Sequence, residues 1–255
     1  MLEKIVLSAM LFLTPPKEIE ELENDLLAKG YNDHTVKQMV EEYEKDTEVI
    51  NRFEVNPEKK SREGKIRYTD YRQILGVERL KEELPTFIEN NKDNLLKAQR
   101  RYDVDYRYIA SIIGVESSFN EVRGDRDVTN TLLTIYDDVP RMKDFAKEQI
   151  ECLMELDSKK TFEEDVLDLT GSYAGAMGSG QFIPCSVLNY YKGDIDDLDD
   201  AILSVGNYLS KHGWDAEINS NSYEKKKSIL LDYNKSSVYA RAVDEIANSV
   251  ENPSL

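Results

Sequence analysis

The chain has 255 residues, with 33 lysine and arginine side chains against 50 aspartate and glutamate side chains, which gives a formal net charge of −17. Proteins that bind nucleic acid neutralise its phosphates with clustered lysine and arginine, and no such cluster is present, so we expect no nucleic-acid partner. A hydrophobic fraction of 40% is enough for a sizeable core and excludes global disorder.

The N-terminus carries a short apolar run at residues 5–13, followed by Thr14 and two prolines. This run is similar to the hydrophobic region of a secretory signal, and it favours export of the chain, with residues 1–15 forming the segment. An ordinary N-terminal core helix is the alternative. No cysteine follows the run, so we expect no lipoprotein anchor.

Helical periodicity dominates the first hundred residues. Apolar residues recur at helical spacing from 19 to 27, and Gly30 ends this helix. Asn32 or Asp33 then caps a second helix, which we expect to run antiparallel to the first. The polar stretch 58–65 is typical of an exposed loop.

Further helices are predicted on both sides of a proline. A helix that begins at Val77 is expected to be interrupted at Pro85, and another to cover residues 86–102. Strand signals are scarce along the whole chain.

The segment 106–119 is predicted to be a helix with one carboxyl group on its apolar face. Its apolar stripe is made by Ile109, Ile112 and Ile113. Glu116 lies seven residues after Ile109 and therefore on the same face. Burial would raise its pKa towards the range of a general acid. The alternative is an ion pair with Arg123 or Arg141.

Few other residues have side chains suited to catalysis or metal binding. Only His34 and His212 are present, so a histidine-rich metal site or a Ser-His-Asp relay has few ways to form. Cys152 and Cys185 lack CxxC spacing and are predicted to be buried thiols. No second acid is placed like Glu116, so a glycosidase mechanism would need a nucleophile from the substrate.

The later part of the chain contains a glycine-rich run and further helices. Residues 171–180 hold four of the twelve glycines, which indicates close approach of the backbone to a helix or a ligand. Asp199 or Asp200 begins a helix that ends at His212, and two more helices follow, one before and one after a break at residues 233–237.

Four segments occur in the order and with the residues of a known family. They are IIGVESSF at 112–119, GSYAGAMGSGQFIP at 171–184, DAILSVGNYLSKHGW at 200–214, and Tyr233-Asn234 followed by Tyr239. Together they resemble the membrane-bound lytic transglycosylase B family, and the resemblance runs from about residue 17 to the C-terminus.

This resemblance implies a mainly α, lysozyme-like fold of the α+β superfamily. It implies a helical N-terminal subdomain at 16–100, packed on a catalytic core at 101–255 whose C-terminal helices close a glycan-binding cleft. The implied enzyme is a lytic transglycosylase that cleaves the β-1,4 bond between N-acetylmuramic acid and N-acetylglucosamine in peptidoglycan without water. Glu116 matches its single catalytic acid. A hydrolytic muramidase and a non-catalytic peptidoglycan-binding protein are the alternatives.

The resemblance also implies residues that contact the substrate. Ser172 and Gln181 match cleft residues near the acid. From the residues alone, the tyrosines would be assigned to core packing. The remaining matches are Tyr233, Asn234 and Tyr239 facing the cleavage site, Tyr208 and Tyr71 at further aromatic positions of the cleft wall, and Arg141 towards the acidic peptide stem.

Several positions depart from the family. Asn120 replaces a usual glycine, and asparagine tolerates the left-handed turn expected there. Phe145 replaces a tyrosine and Cys185 a serine. The loop at 190–200 is too short for the calcium loop of many relatives, so we predict no calcium, no other metal and no cofactor. The expected partners are glycan strands and other cell-wall enzymes, and the expected state is a monomer in the periplasm.

Overall fold

The computed structural model describes residues 15–54, 67–162, 165–220 and 222–251. Most of these residues are helical, which confirms the predicted mainly α architecture. The elements are α1 Lys17–Ala28, α2 Asp33–Glu41, α3 Thr47–Phe53, α4 Tyr68–Leu75, α5 Val77–Asn90, α6 Lys92–Tyr102, α7 Tyr106–Ser117, β1 Arg126–Asp127, α8 Val128–Asp138, a 3₁₀ turn Pro140–Met142, α9 Lys143–Ser158, β2 Thr170–Gly171, α10 Pro184–Tyr190, α11 Leu198–Lys211, α12 Ala216–Asn219, α13 Tyr223–Tyr233 and α14 Ser237–Ala247.

The first two helices pack together, as predicted. Gly30 follows α1 with φ of +82°, the left-handed conformation that a glycine allows after a helix. Asn32 caps α2 by accepting a hydrogen bond from the backbone N–H of His34. The pair lies against α9, where the Thr35 hydroxyl donates to Asp157 at 2.8 Å.

The predicted break at Pro85 is wrong. Helix α5 continues through Pro85 to Asn90, and the chain breaks at Asn91 instead, so the helix predicted at 86–102 is also divided in two. Pro85 lies on the exposed face of α5, while Leu84 and Phe87 are buried on the other face. Packing of the apolar face therefore outweighs the loss of one helical hydrogen bond.

Helix α7 is the centre of the molecule. Its residues from Tyr106 to Gly114 are all buried. Helices α5, α6, α11 and α14 pack around it. Helix α11 begins at Leu198, one or two residues before the predicted start, because the Asp197 side chain caps it. This packing fixes α7, and with it Glu116, inside a shell of helices.

The prediction of two buried thiols is wrong. Cys152 on α9 and Cys185 in the first turn of α10 form a disulfide and are only partly buried. The two helices pack side by side and bring the Cα atoms to 5.0 Å, within the range that a disulfide requires. A separation of 33 residues conceals this proximity in the sequence.

A small sheet joins the segment after α7 to the glycine-rich run. Strands β1 and β2 are antiparallel, with Arg126 opposite Gly171 and Asp127 opposite Thr170. The glycine-rich run therefore begins directly beside the chain that leaves the Glu116 helix.

The buried apolar residues of 16–100 and of 101–255 belong to one continuous core. The boundary between the two parts, which lies inside α6, remains a prediction. The signal-like residues 1–14 and the predicted loop 58–65 lie outside the described residues. Within the part of the chain that the structure describes, no helix has the length and apolarity needed to cross a membrane.

Candidate active site

Glu116 is the last residue but one of α7 and lies half-buried at its C-terminal end. Ile109, Ile112 and Ile113 on the same stripe are completely buried, which confirms the predicted face. Burial raises the pKa of Glu116 to about 7, although the neighbouring Tyr239 hydroxyl opposes the shift. At neutral pH a large fraction of this carboxyl group is therefore protonated.

No cation compensates Glu116. Among the described residues it makes no ion pair, and the two arginines considered from the sequence are engaged elsewhere. Arg123 pairs with Asp196 at 2.6 Å, and Arg141 donates to the Phe53 carbonyl oxygen at 2.6 Å. The alternative of a structural ion pair is therefore wrong, and among the residues that the structure describes no other carboxyl group alters the Glu116 pKa.

Three tyrosines surround the carboxyl group: Tyr71 on α4, Tyr233 at the end of α13 and Tyr239 on α14. Burial, and then the charge of Glu116, raises the pKa of Tyr71 to about 12 and raises the pKa of Tyr233 and Tyr239 well above 10. The buried Tyr239 hydroxyl has no hydrogen-bond partner of standard geometry, although it lies close to Glu116. These phenols remain neutral donors at any physiological pH.

The chain leaves the site through three consecutive left-handed residues. Ser118, Phe119 and Asn120 have φ of 50°, 57° and 78°. The left-handed turn expected at Asn120 is confirmed. Such residues each cost of order 1 kcal/mol, so neighbouring contacts must hold the segment in place.

Those contacts come from both sides of the turn. The Ser179 hydroxyl of the glycine-rich run donates to the Asn120 side-chain oxygen at 2.6 Å, and the Asn120 backbone N–H donates to the Ser117 hydroxyl at 3.0 Å. Phe119 folds back onto α7, where a Cβ at Gly114 would approach its ring to 2.6 Å. Gly114 is therefore required for the ring to pack against α7.

Ser172 lies in the glycine-rich run and Gln181 follows it directly. The run passes along the same site. The Ser172 hydroxyl accepts from the Ala176 N–H at 3.2 Å, and the Gln181 amide donates to the carbonyl oxygens of Arg123 and Gly178 at 2.9 and 3.0 Å. These bonds fix both side chains within their loop. Gln181 also has φ of 51°, an uncommon value for its residue type.

The run meets the Glu116 site through Tyr233. The Tyr233 hydroxyl donates to the Gly180 carbonyl oxygen at 2.6 Å, and a Cβ at Gly180 would lie 3.1 Å from that hydroxyl. Gly178 is closest to Ile195, and Gly175 to Leu132. The glycines thus allow the run to pack on α8, on the loop before α11 and on Tyr233.

Tyr208 is buried behind Tyr233. Its hydroxyl donates to the Asp232 carbonyl oxygen at 2.8 Å, and its ring centroid lies 4.8 Å from that of Tyr233 and 4.0 Å from that of His212. Because its polar group is used inside the protein, Tyr208 orients the end of α13.

Asn234 and Arg141 lie further out, and both are exposed. The Asn234 side-chain oxygen accepts from the Ser236 N–H at 3.1 Å, which leaves its amide N–H groups as donors. The Arg141 guanidinium lies 5.7 Å from the centroid of the Phe53 ring. The structure therefore brings Glu116, Tyr71, Tyr233 and Tyr239 together and places Arg141 at a separate point.

Tyr173, which no sequence pattern singled out, lies beside the Phe53 ring that Arg141 also contacts. Tyr173 follows Ser172 and has 43% of its surface exposed, with the Phe53 ring centroid at 5.8 Å and the Arg52 guanidinium at 5.4 Å. An aromatic residue inside a glycine-rich run was the signal that could have found it.

No group of three or more histidine, cysteine, aspartate or glutamate side chains suited to a metal occurs among the described residues. In the acidic loop 194–200, the carboxylates of Asp194, Asp197 and Asp200 accept backbone N–H groups. The absence of calcium remains a prediction.

Comparison with known proteins identifies the family. Residues 15–224 match the transglycosylase SLT domain family. The chain belongs to this family. A curated relative, membrane-bound lytic murein transglycosylase B of Escherichia coli, is 36% identical over 135 residues, which are 50% of this chain and 37% of the relative. The match thus spans little more than a third of that protein, and it confirms the predicted family.

Solved structures show the same fold. SltB1, a soluble lytic transglycosylase from Pseudomonas aeruginosa, superimposes with a TM-score of 0.78 at 23% identity, over 91% of this chain and 97% of its own. SltB3 from the same organism gives 0.74 at 21% identity over 91% and 78%, and was solved with NAG-NAM-pentapeptide and with NAG-anhNAM-pentapeptide. The predicted lysozyme-like transglycosylase fold is therefore confirmed.

Proposed function

We propose that this transglycosylase-domain protein cleaves peptidoglycan glycan strands as a lytic transglycosylase, with Glu116 as its only catalytic carboxyl group. One observation carries the proposal: the Glu116 carboxyl is half-buried among tyrosines, and no cation or second carboxyl group in the described part of the chain perturbs it. A raised pKa of about 7 supplies a proton donor at neutral pH. A mere binding protein has no need for an uncompensated acid of this kind.

The reaction needs only one protein carboxyl group because the substrate supplies the rest. Protonated Glu116 donates its proton to the glycosidic oxygen, and the 2-acetamido group of the muramic acid stabilises the positive centre that forms. The carboxylate then removes the proton from the C6 hydroxyl of the same sugar, whose oxygen closes a 1,6-anhydro ring. The C6 hydroxyl takes the place of water, and the acetamido group takes the place of the second carboxylate.

The tyrosines support these steps in two ways. Their bulk excludes water from the carboxyl group and keeps it partly protonated. As neutral donors, Tyr71 and Tyr239 are proposed to bind the sugar at the cleavage site, and Asn234 to bind its N-acetyl group with its amide. We assign Ser172 and Gln181 to the cleft wall, Tyr233 to the junction between the cleft and the glycine-rich run, and Tyr208 to the support of Tyr233.

Arg141 is proposed to act at the edge of the cleft together with Tyr173 and Phe53. Guanidinium groups over aromatic rings form a surface that suits sugar faces and carboxylates. This placement supports a contact with the peptide stem of the strand rather than with the scissile bond.

We propose that the chain acts in the periplasm, where its glycan substrate lies. The Cys152–Cys185 disulfide supports an oxidising compartment, because such bonds are rare where thiols are kept reduced. Other cell-wall enzymes as partners and a monomeric state remain predictions.

Digestion of purified sacculi by the wild-type protein, followed by mass spectrometry, tests the proposal. The expected products end in 1,6-anhydro-N-acetylmuramic acid and are lighter by one water than hydrolysis products. Hydrated ends would assign the muramidase alternative. Absence of products from correctly folded protein would leave only the glycan-binding alternative.

A further inference from the structure

A groove of about 860 Å³ lies on the outer side of α14. The inner face of α14 packs on α7 through Tyr239, Val243 and Ile246, which are buried. The outer face contributes Arg241, and the other walls come from Tyr68 on α4, Lys81 on α5 and α13. The groove and the Glu116 site therefore lie on opposite sides of one helix.

The acidic side chains of the groove are already engaged by partners inside the protein. Glu245 accepts from the Tyr68 hydroxyl at 2.6 Å and from Arg72 at 2.6 Å, and Lys81 lies 3.6 Å away. Asp244 accepts the buried hydroxyl of Tyr108. Both carboxylates keep their negative charge, and Arg72 and Lys81 compensate that of Glu245.

The basic side chains are not neutralised to the same extent. Arg241 is exposed and pairs with no carboxylate among the described residues. Its guanidinium lies 3.9 Å from the centroid of the Tyr68 ring, and stacking of this kind leaves the N–H edges free. Among the described residues, Lys227 on α13 pairs only with the exposed Glu224, at 3.6 Å, and it lies 5.6 Å from the centroid of the Tyr223 ring. Although the chain has a net charge of −17, the groove is lined by three cationic side chains, Lys81, Lys227 and Arg241, against two carboxylates.

Helices α4 and α14 both contribute residues to the groove and to the Glu116 site. Tyr68 in the groove and Tyr71 at Glu116 are three residues apart on α4, about one helical turn. Val238 in the groove directly precedes Tyr239 on α14. An extended peptide of five residues spans up to about 17 Å, which is more than the width of about 10 Å of a single helix.

We propose that this groove binds a carboxylate of the wall peptide on the glycan strand, with Arg241 as the main contact and Lys227 as a second. The inference rests on the proposed function, because that function identifies the polymer. A guanidinium edge binds a planar carboxylate through two parallel hydrogen bonds, which is the geometry a stacked arginine offers. The groove thereby selects strands that carry their peptides.

Binding to the inactive variant Glu116→Gln tests the proposal. Calorimetry compares NAG-NAM-pentapeptide with the NAG-NAM disaccharide at low ionic strength. The peptide-bearing ligand is expected to bind about tenfold more tightly, as one charge-assisted contact supplies. Adding Arg241→Gln removes most of this preference and leaves the affinity for the disaccharide unchanged. About 1 M salt reduces the preference in the same way.

Arg100→Gln is the matched control, since Arg100 is an exposed arginine on α6 outside the groove. It is expected to leave the preference intact. If Arg241→Gln unfolds the protein, Lys227→Gln carries the test, with an expected loss of about threefold. Retention of the full preference in the folded groove variants, or no preference in Glu116→Gln itself, overturns the proposal. If the proposed function itself is wrong, digestion of sacculi by the wild-type protein gives no anhydro products. This result does not depend on the groove variants.

Discussion

The two ends of helix α7 each hold a carboxyl group in a protected environment, but their surroundings differ in charge. Asp105 at the N-terminal end is buried, accepts the Arg107 backbone N–H and pairs with the Arg107 guanidinium at 2.6 Å. Glu116 at the other end has tyrosines and no cation. A helix dipole favours an anion at its N-terminus and disfavours one at its C-terminus. The same helix therefore stabilises one carboxylate and keeps the other ready to hold a proton.

The largest expected effect is a loss of catalytic activity on changing Glu116, at the C-terminal end of α7. Replacement of Glu116 by glutamine removes the proton donor but preserves the shape of the side chain, so kcat for glycan cleavage is expected to fall about 10³-fold or more. Release of soluble fragments from sacculi measures it. Near-normal activity in this variant would remove Glu116 from its role.

Asp105→Asn is expected to show the opposite behaviour. It leaves the Arg107 guanidinium without its carboxylate in a buried position, which costs about 3 kcal/mol of unfolding free energy. Urea denaturation measures the loss, and activity per folded molecule is expected to remain close to that of the wild type. A fall in activity without a fall in stability would contradict the comparison.

Stability should also depend on pH at the Glu116 end of α7. The Glu116 pKa of about 7 in the folded protein lies above its ordinary value of 4.5, so the folded protein binds more protons between these values. Its protonated form contributes fully below pH 4.5, and this contribution is lost as the pH rises through 7. Relative to Glu116→Gln, the wild type should lose about 3 kcal/mol across this window. Parallel curves for the two proteins would contradict it.

The next prediction concerns the stability of the left-handed turn that follows Glu116. Asn120→Ala removes the hydrogen bond from Ser179 and places a less tolerant residue at φ of 78°, so a loss of about 2 kcal/mol is expected. Asn120→Gly removes only the bond and should cost less. Thermal denaturation of both variants gives the order, and equal losses would show that backbone conformation is not the cause.

The smallest expected effect concerns the Tyr239 hydroxyl. Because this hydroxyl lowers the Glu116 pKa, Tyr239→Phe should raise that pKa and move the alkaline limb of the activity profile upwards by a fraction of a pH unit. Burial of the ring keeps the rest of the site in place. A downward movement of the limb would mean that the hydroxyl does not hydrogen-bond the carboxylate.

Much of the site followed from the sequence because it depends on local periodicity. The stripe of isoleucines on α7 places Glu116 on the buried face, and Asn120 is a residue type that tolerates the left-handed turn. The family motifs added Tyr71, Tyr233 and Tyr239, which helical spacing alone would assign to the core.

The errors concern features that packing between distant segments decides. The partners of Arg123 and Arg141 depend on loops whose positions no spacing encodes. The Cys152–Cys185 bond depends on the contact of α9 with α10. Pro85 stays within a helix because it lies on the outer face of α5, a position that the packing of Leu84 and Phe87 determines.

The account depends on a carboxyl group at the end of α7 that holds a proton near neutral pH because nothing compensates its charge. Carbon NMR of the labelled Glu116 side chain, assigned by its absence in Glu116→Gln, follows its titration directly. The account predicts a pKa of about 7. A midpoint at the ordinary value of 4.5 would contradict it.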